Sequence, residues 1–149
     1  MILYLDSSAL VKRYVGEPGS DDVRRLLAEA RVAGTSLIAR SEISAALAKA
    51  VRLKVLSRDD ATAALQVFRS QWPDIVRVQL TETLVAEADA LAWAHALRGY
   101  DAVHLASAIF WQDTIGEPVT VVTFDRQLWD GARRSTLAVF PAAWPAGRG

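Results

Sequence analysis

The chain has 149 residues, enough for one domain with its own core, and its 52% apolar and 23% charged residues fit a globular fold rather than a disordered one. It contains no cysteine, which excludes a thiol nucleophile, a disulfide scaffold and any thiolate-held zinc or iron–sulfur centre. Its 17 basic and 17 acidic residues cancel, which argues against a protein that coats nucleic acid through a strong basic field, while leaving room for a local phosphate site or a bound cation.

Residues 2–5 are a short apolar run stopped by Asp6 and predict a buried strand. No basic residue precedes the run, so it lacks the form of a secretory signal, and no stretch of about 18 apolar residues suits a membrane span. Ser7 and Ser8 are placed to cap a helix reaching about Val15, which Gly16 and the Glu17-Pro18-Gly19 turn break. Residues 21–32 carry Val23, Leu26, Leu27 and Ala30 at helical spacing; Gly34 is expected to end that helix, and residues 35–39 to form a second strand. Residues 42–53 predict an alanine-rich helix with Ile43, Ala46, Leu47 and Ala50 on one stripe. Ser57, with Asp60 three positions on, opens the next helix as a capping box, and Pro73 follows its end. Residues 75–80 alternate as a half-exposed or edge strand does. Thr81 then caps a long helix with Leu84, Ala88, Leu91 and His95 on one face, which Gly99 is expected to close. Residues 101–111 predict a helix that is apolar nearly all round and therefore buried. Residues 119–123 form a β-branched strand, a short helix follows near Asp125, residues 138–140 suit a last strand, and residues 141–149 an irregular tail.

Strands that alternate with helices predict an α/β fold, a parallel sheet covered on both faces, within a single domain over residues 1–149. In such a sheet ligands sit outside the carboxyl ends of the strands. Asp6 and Asp125 follow strands, and Glu42 and Asp101 fall in first turns of helices, so all four acids are candidates for one crevice. Singly, each is explained as an acid at a helix N-terminus. Gathered in one cleft they repel, and desolvation adds to the cost unless a cation or a shared proton compensates. Carboxylate and water oxygens suit Mg2+ or Mn2+, whereas two histidines are few for a zinc site. The hydroxyls of Ser7, Ser8 and Thr123 either cap and pack or hold a carboxylate or water in position. Lys12, Arg13, Arg40 and Arg126 fall near strand ends, as phosphate contacts or as plain solvated surface. The tryptophans at 72, 93, 111, 129 and 144 read as core or interface residues, with base stacking open for one at most.

Four stretches, LDSSALVKRY at 5–14, IARSEISAAL at 38–47, LRGYDAVHLASA at 97–108 and VVTFD at 121–125, together resemble the PIN-domain proteins, and among them the VapC-type toxins of type II toxin–antitoxin systems. The resemblance spans nearly the whole chain. It implies a three-layer α/β/α sandwich with a central, mainly parallel sheet, and an endoribonuclease that hydrolyses RNA phosphodiester bonds with Mg2+ or Mn2+ to leave 5′-phosphate and 3′-hydroxyl ends. By position, Asp6, Glu42, Asp101 and Asp125 match the family's acidic quartet. Asp6, Asp101 and Asp125 are then the expected metal ligands, Glu42 orients or deprotonates the attacking water, and Ser8 and Thr123 are the supporting hydroxyls. One ion or two stays open. The resemblance also implies a homodimer, a cognate antitoxin that directs a basic side chain at the acids, and a cytoplasmic location with no membrane partner.

Three other readings compete. His95 and His104 are candidates for the acid and base of a metal-independent ribonuclease that uses the RNA 2′-hydroxyl. His104 lies three residues after Asp101 on the same helix face, yet a lone histidine on an apolar helix is also an ordinary satisfied core residue, and the same holds for His95. Phosphoryl transfer to Asp6 would want a second Asp where Ser8 stands, and no GxxxxGK[ST] loop is present. A catalytically inactive PIN-like domain that only binds a protein would keep the fold and lose the reaction.

Overall fold

All four residues of β1 (Ile2–Leu5) are buried, as an apolar strand must be when helices cover both faces of its sheet. In the computed structural model, which describes residues 1–147, β1 pairs in parallel with β2 (Val32–Ser36) on one side and β4 (Val119–Val122) on the other. β3 (Val76–Val78) continues the sheet beyond β2 and β5 (Ala138–Phe140) beyond β4, giving the all-parallel order β3-β2-β1-β4-β5. The strand order reverses between β1 and β4. Their carboxyl ends therefore flank the crevice where such sheets bind ligands.

Alternation along β1 divides the core in two. Ile2 and Tyr4 face a layer built from α5 (Glu82–His95), α6 (Gly99–Ile115) and α7 (Arg126–Arg134), with Leu105 and Leu128 packed among them. Leu3 and Leu5 face α1 (Ser7–Leu10), α2 (Ser20–Glu29), α3 (Ala39–Arg52) and α4 (Arg58–Gln71), with Ile43 and Phe68 at the centre. The α/β class and the sheet sandwiched between helical layers match what the sequence pattern and the resemblance imply. No helix among the described residues is long and apolar enough to cross a membrane.

Several boundaries differ from the sequence reading, for physical reasons. Asp6, not Ser7 or Ser8, caps α1, its carboxylate accepting the Ala9 N–H, and the helix tightens into a 3-10 turn over Val11–Arg13. Gly34 lies within β2 instead of ending α2; a Cβ there would meet the Trp111 ring at 2.6 Å, so this glycine lets α6 approach the sheet. Gly99 opens α6 instead of closing α5, whose end is made by Ala96 in the left-handed region (φ 53°). Trp72, Trp111 and Trp129 are buried, whereas Trp93 on α5 is exposed. Residues 141–147 contain no helix or strand, but Trp144 packs on Trp129 with ring centroids 5.6 Å apart. The last two positions of the expected tail, 148 and 149, lie outside the described residues.

Candidate active site

The chain turns from β1 into α1 at Asp6, and this places a carboxylate at the switch point. Asp6 is 3% exposed. Its Oδ1 accepts the Ala9 N–H at 3.0 Å and the Ser8 hydroxyl at 2.7 Å, and its Oδ2 accepts the Thr123 hydroxyl at 2.8 Å. The same hydroxyls bind the end of β4: Ser8 Oγ accepts the Phe124 N–H at 3.0 Å and Thr123 Oγ1 the Asp125 N–H at 3.1 Å. Ser8 and Thr123 thus tie both strand ends to one carboxylate. Burial pushes the Asp6 pKa up, and the hydrogen bonds from Ser8, Thr123 and Ala9 oppose that rise.

Asp125 caps α7, its Oδ1 accepting the Gln127 and Leu128 N–H groups at 3.0 and 3.1 Å. That leaves Oδ2 for Arg98, whose guanidinium bridges it to Asp101; the Arg98 Nε–Asp101 Oδ2 distance is 2.9 Å. Asp101 stands in the first turn of α6, and burial raises its pKa. The ion pair with Arg98 pulls the other way, and the neighbouring charge of Asp125 adds to the rise. Glu42, in the first turn of α3, approaches from the opposite wall. Its Oε1 accepts from His104 Nε2 at 2.7 Å. Asp6, Ser8, Glu42, Arg98, Asp101 and Asp125 line one crevice of about 430 Å³, with Thr123 buried beneath it.

The histidine pair of the metal-free reading is not assembled. His95 is absent from the crevice lining, and both His104 nitrogens are engaged, Nε2 by Glu42 and Nδ1 by the Tyr4 hydroxyl at 2.8 Å. Lys12, Arg13, Arg40 and Arg126 do not line the crevice. Lys12 and Arg126 pair with Glu17 and Asp130, and Arg13 and Arg40 lie over the rings of Tyr14 and Trp72. The basic residue of the site is Arg98, which sequence reasoning missed. Its signal was local: Arg98 and Asp101 sit three positions apart across a helix start, the spacing of a side-chain pair.

Among the described residues, no three acidic or imidazole side chains converge into a complete metal cage. The donor set nonetheless fits a hard divalent cation, since Mg2+ keeps several waters and needs only one or two carboxylates. The donors are oxygens throughout, and Arg98 already sets a positive charge between two of the acids.

The PIN domain family pattern matches residues 3–133. The chain is 39% identical over 142 residues to "Ribonuclease VapC49" of Mycobacterium tuberculosis, covering 95% of this chain and 96% of that protein. Among solved structures it resembles M. tuberculosis VapC20, described as a sarcin-ricin loop cleaving toxin, with a TM-score of 0.64 and 18% identity over 96% of this chain and 99% of that one. It also resembles VapBC2 from Rickettsia felis bound to a DNA fragment from their promoter, with a TM-score of 0.63 and 16% identity over 93% of this chain and 97% of that one. At these identities the structural likeness concerns the fold.

Proposed function

The chain belongs to the PIN-domain family, among relatives of the VapC group, and from that premise we propose that it is an endoribonuclease, the toxin of a toxin–antitoxin pair, which hydrolyses RNA phosphodiester bonds with Mg2+ or Mn2+. One observation carries the reading: four carboxylates open into a single crevice at the switch point of the sheet. A buried acid such as Asp6 is costly unless positive charge answers it.

Asp6, Asp101 and Asp125 are the residues that would hold the cation, and Ser8 and Thr123 fix the direction of the Asp6 oxygens. A bound divalent ion supplies Lewis acidity and lowers the pKa of water toward neutrality. Glu42, with Oε1 held by His104, keeps Oε2 for orienting the attacking water and accepting its proton. In-line attack at phosphorus leaves a 5′-phosphate and a 3′-hydroxyl. Arg98, at the exposed edge of the crevice, is placed to meet a phosphate oxygen. An antitoxin that offers a basic side chain to the crevice would silence the enzyme by the same charge logic, and the Arg98 contacts with Asp101 and Asp125 support that reading. The enzyme is read as a cytoplasmic homodimer.

The test is incubation with total RNA, with and without Mg2+ or Mn2+, followed by mapping of the cut ends. Cleavage is expected only with the ion, with 5′-phosphate products, and Asp6→Asn should abolish it while its circular dichroism stays unchanged. Normal turnover by that variant, or chelator-resistant cleavage leaving 2′,3′-cyclic phosphates, overturns the assignment. Failure of purified protein both to cut RNA and to bind Mn2+ calorimetrically would instead favour a domain that only binds a protein.

A further inference from the structure

His104 is 2% exposed on α6, and Tyr4 is fully buried at the middle of β1. A polar group in such a place costs free energy unless it is hydrogen-bonded, and a phenylalanine and a leucine would fill much the same space without that cost. Here the two polar groups are spent on one another and on Glu42. Tyr4 OH lies 2.8 Å from His104 Nδ1, and His104 Nε2 lies 2.7 Å from Glu42 Oε1. The rings meet edge to face, with centroids 5.9 Å apart at 72°.

The chemistry fixes the direction of both bonds. A carboxylate only accepts, so His104 Nε2 carries a hydrogen and donates it to Glu42. With Nε2 carrying the hydrogen, Nδ1 of a neutral ring is left as an acceptor, and the Tyr4 phenol, which carries its proton at neutral pH, donates to it. The central strand thereby sets the tautomer and tilt of an imidazole on the next layer, and the imidazole fixes one oxygen of Glu42.

We propose that Tyr4 and His104 are positioning residues for the reaction: they lock the Glu42 carboxylate by its Oε1 and so present Oε2 to the attacking water. The proposal rests on the role given to Glu42 above. Neither residue touches substrate, and both act through Glu42, as outer partners of reactive groups do.

Three measurements test it. Nitrogen-15 NMR of the intact, metal-free protein should show His104 as the Nε2–H tautomer, and Tyr4→Phe should broaden or shift that signature. His104→Leu should lower kcat about 10–100-fold at unchanged KM, the usual scale for losing an outer-shell partner. His104→Gln, which keeps a donor near the Nε2 position, should recover most of the loss, something a merely space-filling role would not predict. An Nδ1–H tautomer, or a folded His104→Leu enzyme with wild-type kcat, overturns the proposal. With Asp6→Asn inactive as a control, that result leaves the ribonuclease reading standing. Normal cleavage by Asp6→Asn would remove the ribonuclease reading, and the positioning role with it.

Discussion

Asp6 has two tasks that pull in opposite directions. It caps α1 through the Ala9 N–H, and it carries a negative charge into a place that is almost fully dry. Burial raises its pKa above the ordinary aspartate value, so the folded chain holds the Asp6 proton to higher pH than the unfolded chain does. The sign follows: the neutral form's stability is fully present below the ordinary carboxylate range and is lost as pH rises through the raised folded-state pKa. Asp101 shifts in the same direction for the same first cause. At neutral pH an ionised Asp6 is therefore a standing cost. Asp6→Asn keeps the cap acceptor and removes the charge, so it is expected to gain about 1 kcal/mol at neutral pH while losing cleavage, the trade seen when function demands a destabilised group. Urea unfolding below about pH 4 and above about pH 7 checks this, because the variant's advantage should shrink on the acid side as Asp6 regains its proton. An advantage that stays the same at both ends would mean that the charge is not its source.

At the scale of elements, α6 sets the site, because Asp101 and His104 both ride on it. Its distance from the sheet is fixed where Trp111 lies across Gly34 of β2. Gly34→Ala would push a methyl into the Trp111 ring at 2.6 Å, and overpacking of this kind costs about 1–3 kcal/mol. The expected result is a lower Tm and reduced cleavage, since the shift carries Asp101 away from Asp6. Trp111→Phe in the same chain should restore part of both, a coupling that two independent sites would not show. This contact also explains what the sequence left hidden. Read locally, Gly34 and Gly99 are helix stops, but one serves a close approach from α6 and the other starts that helix. The four acids were legible because each sits at the start of an element whose place in a parallel sheet is constrained. The hydroxyls that hold Asp6 were legible too, but the partners that aim Glu42 were not: Tyr4 meets His104 across 100 positions of chain, and His104 meets Glu42 across 62. No window of sequence contains such a pair, and only the packing of β1, α3 and α6 brings them together.

Over the whole molecule, net charge is zero while four acids converge on one crevice, so attraction for RNA must come from something more local than a basic surface. On the proposed reading, a divalent ion in the crevice would supply it and would also answer the repulsion among the acids. Binding to the folded chain alone stabilises that chain by mass action, about 2.7 kcal/mol at a concentration one hundred times Kd. Thermal unfolding in Mn2+ should therefore occur at higher temperature than in chelator, by an amount that grows with the logarithm of ion concentration, and Asp6→Asn should flatten that dependence. Arg98 gives this experiment its internal control. Its side chain is two-thirds exposed, so its pairs with Asp101 and Asp125 contribute no more than about 1 kcal/mol to stability. Its charge, however, lies on two of the proposed ligands, where it would compete with an ion. Arg98→Gln should change the Tm in chelator little, increase the rise produced by Mn2+, and weaken RNA binding if the guanidinium also meets phosphate. A variant that loses stability in chelator without binding Mn2+ more tightly would show Arg98 to be a structural clamp on Asp101 and Asp125, and would move the ion away from those two carboxylates.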